Sequence, residues 1–337
     1  MSVTKPKAAM FRDGRAALFN SSVLLWTASA WSGSFLLLAS AYAGLNVVGV
    51  LLCAHAMVLA AYLVHEAAHN TLFAVERANV AAGEAMSFIA GSPYASFARI
   101  RHMHIRHHVD RADLACFDFK VLLKRSPKLT RAIQLFEWAY IPAAELLMHA
   151  QVRLRPFFNP AMKSYRTRVI AMLIVRGSLL TLLALWSVKA LLLYGLAVFL
   201  ELQVLNFFDT YHHTFEQYFV APDEPLPVKL PNRDYELTNT YSNLVSRRFG
   251  VLNLLVLNFG YHNAHHYRAS APWYRLPALH RSLYGDAPEV LLPVSKLIGS
   301  WHKNRVRRVM AADYGAPQAG NLENFVGAHG VSFLTVV

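Results

Sequence analysis

Charged side chains are scarce: Asp, Glu, Lys and Arg make up 16% of 337 residues and apolar residues 55%, against about 25% and roughly 45–50% in ordinary soluble domains. That shortage excludes a surface that faces water throughout. Cysteine is almost lacking as well. Cys53 lies in an apolar run and Cys116 in a polar one, with no neighbouring thiol, so neither a disulfide framework nor a thiolate metal site is expected. No nucleic-acid-binding module and no basic stripe interleaved with exposed aromatics is found. The net charge of +13 is therefore read as attraction to an anionic membrane face or an acidic partner, with no nucleic acid. The N-terminus carries Lys5, Lys7, Arg12 and Arg15 but no small-residue cleavage site, so the apolar segment after it is read as a retained anchor.

What is present in excess is long apolar sequence. Residues 21–43, 44–64, 169–186 and 189–208 are nearly free of charge, and each approaches the ~20 residues that a ~30 Å hydrocarbon layer requires. Gly44 and Asn46 mark the first turn and Ser187 to Lys189 the second, giving four transmembrane helices in two hairpins. Arg176 falls inside the third helix, where it must tilt the helix, snorkel or face the protein interior. Fifteen Lys and Arg lie between His65 and Arg168, whereas the hairpin turns hold only Lys189. By the positive-inside rule both termini and the central segment are cytoplasmic. The expected architecture is an all-α integral membrane protein, one domain over 1–337, with a cytosolic helical cap from 65–168 and 209–310 and a loosely ordered tail at 315–337. Residues 85–97 and 132–149 are expected as interfacial or re-entrant helices, and Pro222, Pro225, Pro227 and Pro231 as a non-helical linker.

Eight histidines fall into three clusters, all expected on the cytoplasmic side: His65-x-x-x-His69, His104-x-x-His107-His108 and His262-x-x-His265-His266. On a helix, residues three and four apart share a face, so each cluster aims two or three ring nitrogens at one point. Such nitrogen-only sets suit iron, copper, zinc or nickel, and eight imidazoles exceed the needs of one ion. Two metals are implied, held by His65, His69, His104, His107, His108, His262, His265 and His266. Beyond the fourth helix, Asp209 and His213 are one helical turn apart, which favours His213 over His212 as a ninth nitrogen, with Asp209 or Asn206 holding a water or orienting a ring. Glu66, Asp110, Asp113 and Glu216 stand beside the clusters as carboxylates able to orient histidines or as ordinary interface charges. Glu201, deep in the fourth helix, is read as polar lining. His55, His102, His149, His280, His302 and His329 are read as structural or solvated.

The three histidine boxes, with Asn258, Gly260, Tyr261 and Asn263 and then Pro272, Trp273, Leu276 and Pro277 around the third, resemble the membrane fatty acid desaturase superfamily over roughly residues 20–280. The resemblance implies a non-haem di-iron centre and dioxygen-dependent oxidation of a long acyl chain to an alkene. Lipid or carotenoid hydroxylase, ketolase and acetylenase activities are alternatives on the same scaffold, and a non-catalytic metal-binding or metal-transporting membrane protein is the contrasting reading. In desaturases of this type a further histidine four residues after an asparagine helps complete the site; here the matching place holds Asp209 before His213. No His-Pro-Gly-Gly haem motif is present, so an external electron donor is implied, ferredoxin-like or cytochrome b5-like, with its reductase. The resemblance also implies a multi-pass protein of a bacterial inner membrane, or of the endoplasmic reticulum in a eukaryote.

Overall fold

The computed structural model describes residues 9–115, 117–215, 218–220, 231–285, 291–311, 313–315, 317, 322–329 and 333–335. Cys116, Glu216, Pro222, Pro225 and Pro227 lie outside the described residues. Helices dominate in the order α1 (Gly14–Ala39), α2 (Ala43–Ala68), α3 (Glu76–Ile89), α4 (Phe97–Asp110), α5 (Phe119–Arg125), α6 (Pro127–Trp138), α7 (Ala143–Phe158), α8 (Arg166–Trp186), α9 (Val188–Tyr211), α10 (Arg233–Thr238), α11 (His262–Tyr267), α12 (Leu276–Tyr284) and α13 (Val294–Asn304). Among the described residues one pair of three-residue strands, β1 (Asp113–Ala115) and β2 (Tyr218–Val220), runs parallel with Asp113 opposite Tyr218. It joins the segment after α4 to the segment after α9.

Among the described residues four helices are long and apolar enough to cross a membrane: Gly14–Ala39, Ala43–Ala68, Pro160–Trp186 and Val188–Tyr211. The first starts seven residues before the expected 21 because Asp13 caps it, accepting from the Ala16 N–H at 2.7 Å. Asn20 is tolerated within it because its side chain is fully used, donating to Thr71 O and Leu72 O and accepting from the Trp273 indole. The first turn falls at residues 40–42, not at Gly44. Asn46 belongs to α2, and its amide reaches back to the carbonyls of Leu37, Leu38 and Ser40 at 2.8–3.1 Å, satisfying the groups a helix end leaves open. At Gly49 a Cβ would stand 2.9 Å from that of Leu37, so glycine lets α1 and α2 pack closely.

The most buried span is α2, which packs against α1, α3, α4 and α9 and against the 3₁₀ segment Gly250–Val256. It runs on to Ala68 and so places His65 in its last turn, beyond the apolar run. Arg176 faces the protein interior, donating to Phe88 O at 2.7 Å and to the Tyr194 hydroxyl at 3.0 Å, which answers its need for partners inside a span.

The two stretches expected as interfacial or re-entrant helices are each divided between two helices. Residues 85–97 do not form one helix: α3 ends at Ile89, and Ser96 starts α4 by accepting from the Arg99 N–H. Residues 132–149 are divided between α6 and α7, where Tyr140 takes a left-handed conformation (φ 63°) ahead of Pro142. The C-terminal segment is not loose in its described part. Phe325, Val326, Ala328, His329 and Leu334 are buried, Ala328 N–H donates to Thr210 O at 2.9 Å, and the segment crosses α4, α7 and β1.

Candidate metal centre

Local structure brings each histidine to the site. His65 occupies the last turn of α2 and His69 follows as its C-cap. His104, His107 and His108 share one face of α4 at spacings of three and four, while His102 is exposed and outside the cluster. The third box sits on the six-residue α11, whose entry is built by backbone geometry. Leu257 and Asn258 are both left-handed, with φ 50° and 57°. Gly260 then runs so close to Asn243 that a Cβ would meet the Asn243 carbonyl oxygen at 2.3 Å. Asn263 locks the helix from inside, accepting from Ser242 Oγ at 3.0 Å and donating to Thr240 O. His212 caps α9 with helical dihedrals, φ −80° and ψ −31°, so the turn from Asp209 carries on to His213 and both line one cavity; the bridge to Thr240 braces His213 there.

Nine imidazoles converge as two groups. His65, His69, His104, His108 and His265 form one; His107, His213, His262 and His266 form the other; within each, one potential ligand atom per residue lies within 4.8 Å of the rest. In the first group Nε2 atoms approach in a run, His69 to His104 at 2.7 Å, His104 to His108 at 3.2 Å, His108 to His265 at 3.1 Å and His265 to His65 at 3.1 Å. In the second, His213 and His262 face at 2.9 Å. Hydrogen bonding does not account for the run, because the Nε2 atoms of His104, His108 and His265 each meet two others, while a neutral ring nitrogen either donates once or accepts once. A shared cation does. Metal–imidazole bonds of about 2.0–2.1 Å set neighbouring nitrogens at right angles about 3 Å apart.

Electrostatics agree with that reading. Burial, and then repulsion among the rings, pushes His69, His104, His108, His213, His262, His265 and His266 well below the ordinary histidine range. Burial lowers His107 to about 4 and His212 to about 3. At neutral pH these rings are uncharged and present lone pairs, the form a metal binds. Orientation is fixed from outside: His107 Nδ1 donates to Ala112 O at 2.8 Å, and His266 Nδ1 to Glu236 Oε1 at 2.8 Å. That leaves His266 Nε2 buried, with no hydrogen-bond partner among the described residues. The donor set and its geometry fit two bound metal ions.

Of the carboxylates singled out from sequence, some stand by the boxes and some serve other ends; Glu66 Oε1 lies 3.7 Å from His65 Nδ1. Glu66 accepts from Thr71 Oγ1 at 2.6 Å and from the Trp273 N–H at 3.1 Å, tying the first box to the loop after the third. Asp110 pairs with Arg106. Asp113 stands 4.0 Å from His107 Nδ1, and burial raises it to about 7. Asn206 accepts from Thr210 within α9, and Glu201 is buried in the span. His149 and His329 pair with Glu145 and Glu137, His280 packs on Tyr261, and His302 bonds Tyr140. The residues missed are Glu236 and its partner Arg111, joined at 3.1 Å; no box spacing points to them, because α10 is far from both the second and third boxes in sequence.

Beside the second group lies a cavity of about 50 Å³ lined by Met103, His107, Asp113, Asp209, His212 and Phe259 among others, room enough for water. His212 stacks on His262 with centroids 4.0 Å apart and belongs to neither group. The sequence profile described as fatty acid desaturase matches residues 42–297, a stretch that includes all three histidine boxes. No individual curated protein matches the chain.

Proposed function

The chain belongs to the fatty acid desaturase family, and from that membership we propose that it is a dioxygen-dependent, di-iron membrane oxidoreductase that introduces a carbon–carbon double bond into a long acyl chain. The observation that carries the proposal is the convergence of nine imidazoles as two adjoining groups of five and four at the end of an apolar span. The C–H bonds of an acyl chain are unactivated, beyond the reach of acid–base chemistry, and this demands a redox-active metal. Two irons bound there would supply the oxidising power: dioxygen takes two hydrogens from adjacent methylenes, with two electrons and two protons from outside, and leaves as water.

The protein's own part is to hold, orient and exclude. His65, His69, His104, His108 and His265 would hold one iron and His107, His213, His262 and His266 the other. Glu236, Ala112 and Thr240 fix ring orientations from outside. Phe259 seals the rings from lipid, its ring within 4.8–5.1 Å of those of His65, His212 and His262. Substrate access from the membrane is supported by an apolar groove of about 620 Å³ whose walls include Phe19, Trp26, Leu59, Leu255, Leu257 and Trp273, the last two flanking Phe259 and Glu66 respectively. Val251 and Leu255 of the Gly250–Val256 segment are exposed and would sit in lipid.

In the proposed topology the spans form two hairpins, and the cap, both termini and the metal site are cytoplasmic, in a bacterial inner membrane. Electrons would come from a ferredoxin-like or cytochrome b5-like protein and its reductase, attracted to the basic cytoplasmic face. The test is expression in membranes, assay of iron, and lipid analysis by mass spectrometry with and without a competent reductase system. Two irons per chain and donor-dependent appearance of an alkene are expected. Iron-free protein that leaves every lipid unchanged sinks the proposal.

A further inference from the structure

Helix α4, which carries the second histidine box, ends on Arg111 in the left-handed conformation, φ 53° and ψ 49°. At such a helix end glycine is the residue without a steric penalty, so an arginine here carries a backbone cost that its side-chain contacts offset. That side chain leaves its own helix. Nε donates to Glu236 Oε2 at 3.1 Å and Nη1 to Pro231 O at 2.7 Å. Glu236, on α10 and buried, turns its other oxygen to His266 Nδ1 at 2.8 Å. His266 belongs to the group of four, and its ring packs on His108 of the group of five with centroids 4.3 Å apart. The ligand atoms of His108 and His266 and a Glu236 oxygen lie within 4.8 Å of one another.

We propose that Arg111 and Glu236 are positioning residues that cross-link the second box to the third: the carboxylate fixes His266 as its Nδ1–H tautomer with Nε2 turned to the group of four, and the guanidinium fixes the carboxylate. This rests on the dimetal reading above. One consequence is selective. Loss of either residue loosens the ion held by His107, His213, His262 and His266 and leaves its neighbour, which His266 does not serve. Another is that backbone and side chain at Arg111 separate. Arg111→Gly relieves the left-handed strain while removing the guanidinium, so the fold holds as the site loosens.

The experiment titrates Co²⁺ into the full-length, metal-free protein in detergent, following visible absorption bands and competition with a chelator, with thermal unfolding measured in parallel. Wild type is expected to take up two ions. Glu236→Gln and Arg111→Gly should each weaken one of the two by about 10- to 100-fold and shift that ion's bands, with the thermal midpoint of metal-free Arg111→Gly unchanged or raised. The double variant should be no worse than the weaker single, because the two act through one ring. If wild type binds two ions and both variants keep both affinities and both spectra, the assignment is overturned while the dimetal site stands; equal weakening of both ions, or a lowered midpoint with unshifted bands, overturns it as well. Uptake of fewer than two ions by wild type overturns the dimetal reading and this assignment with it.

Discussion

His65 and His265 are 200 residues apart in sequence, and their Nε2 atoms meet at 3.1 Å. The contact joins the end of the most buried span to the last box. It makes the group of five a property of the whole fold, since no local segment of the chain contributes more than two of its members.

Single substitutions should therefore divide the metal content by group. His265→Ala is expected to lower iron from two per chain toward one by emptying the group of five, and His262→Ala to do so by emptying the group of four. Both should abolish lipid oxidation, with membrane insertion and protein amount little changed, since insertion depends on the apolar spans. Iron assay on purified protein alongside lipid analysis checks this, and full activity in either variant refutes the ligand set.

His213 and His212 separate more sharply than their adjacency suggests. His213 offers Nε2 to His262 at 2.9 Å and is braced by Thr240, whereas His212 stacks on His262 and joins neither group. His213→Ala should cost one iron and nearly all turnover. His212→Ala should retain both irons and lose activity by a smaller factor, through the packing of His262 and the lining of the small cavity. The reverse order in paired assays would move the ninth ligand by one residue.

The boxes were legible in sequence because helical periodicity aims their members, and the four spans because apolar runs of that length have few other uses. Boundaries were less legible. Asn20 looks too polar for a span until Thr71, Leu72 and Trp273 are seen to satisfy it. His213 was legible through its helical spacing from Asp209, which His212, with helical dihedrals, carries past the last turn of α9. Glu236 was not found at all, because its relation to His266 and Arg111 is purely tertiary.

Gly260→Ala tests whether the third box depends on a backbone approach. Its Cβ would stand 2.3 Å from the Asn243 carbonyl oxygen, which the backbone bond from Asn243 N–H to Gly260 O at 2.7 Å holds in place. Neither segment can yield without disturbing the entry to α11, which begins at His262. Overpacking of this kind costs typically about 1–3 kcal/mol, and a backbone atom as the obstacle sets the upper end. A lowered thermal midpoint together with reduced iron content is expected; unaltered iron content would mean that α11 keeps its place by other contacts.

Removal of metal should itself destabilise the protein. An ion that binds only the folded state stabilises by RT ln(1 + [L]/Kd), about 2.7 kcal/mol at one hundred times Kd. Chelation should lower the thermal midpoint in detergent, and Fe²⁺ or Co²⁺ should restore it, in wild type. In His265→Ala the restoring effect should shrink, because only the group of four remains complete. A midpoint indifferent to chelator in iron-loaded wild type would count against binding coupled to this fold.

The C-terminal segment makes the last prediction, because it is packed where a loose tail was expected. Phe325 is fully buried between Tyr211 and Tyr241, with ring centroids at 5.2 and 5.5 Å. Arg308, also buried, donates to Val326 O at 2.6 Å and to the Tyr211 hydroxyl at 2.9 Å, its guanidinium lying over the Trp301 ring. Tyr211 immediately precedes His212 and His213, and Tyr241 follows Thr240, which braces His213. The segment thus clamps the chain on both sides of that histidine. Removing a buried phenylalanine side chain costs about 3–5 kcal/mol in a well-packed core, so Phe325→Ala should lower the thermal midpoint and weaken the ion of the group of four more than that of the group of five. Truncation after Ala311 should do the same more strongly. The check is thermal unfolding with iron assay on both variants; a truncated chain that keeps two irons and a wild-type midpoint would show that the clamp contributes nothing to the site.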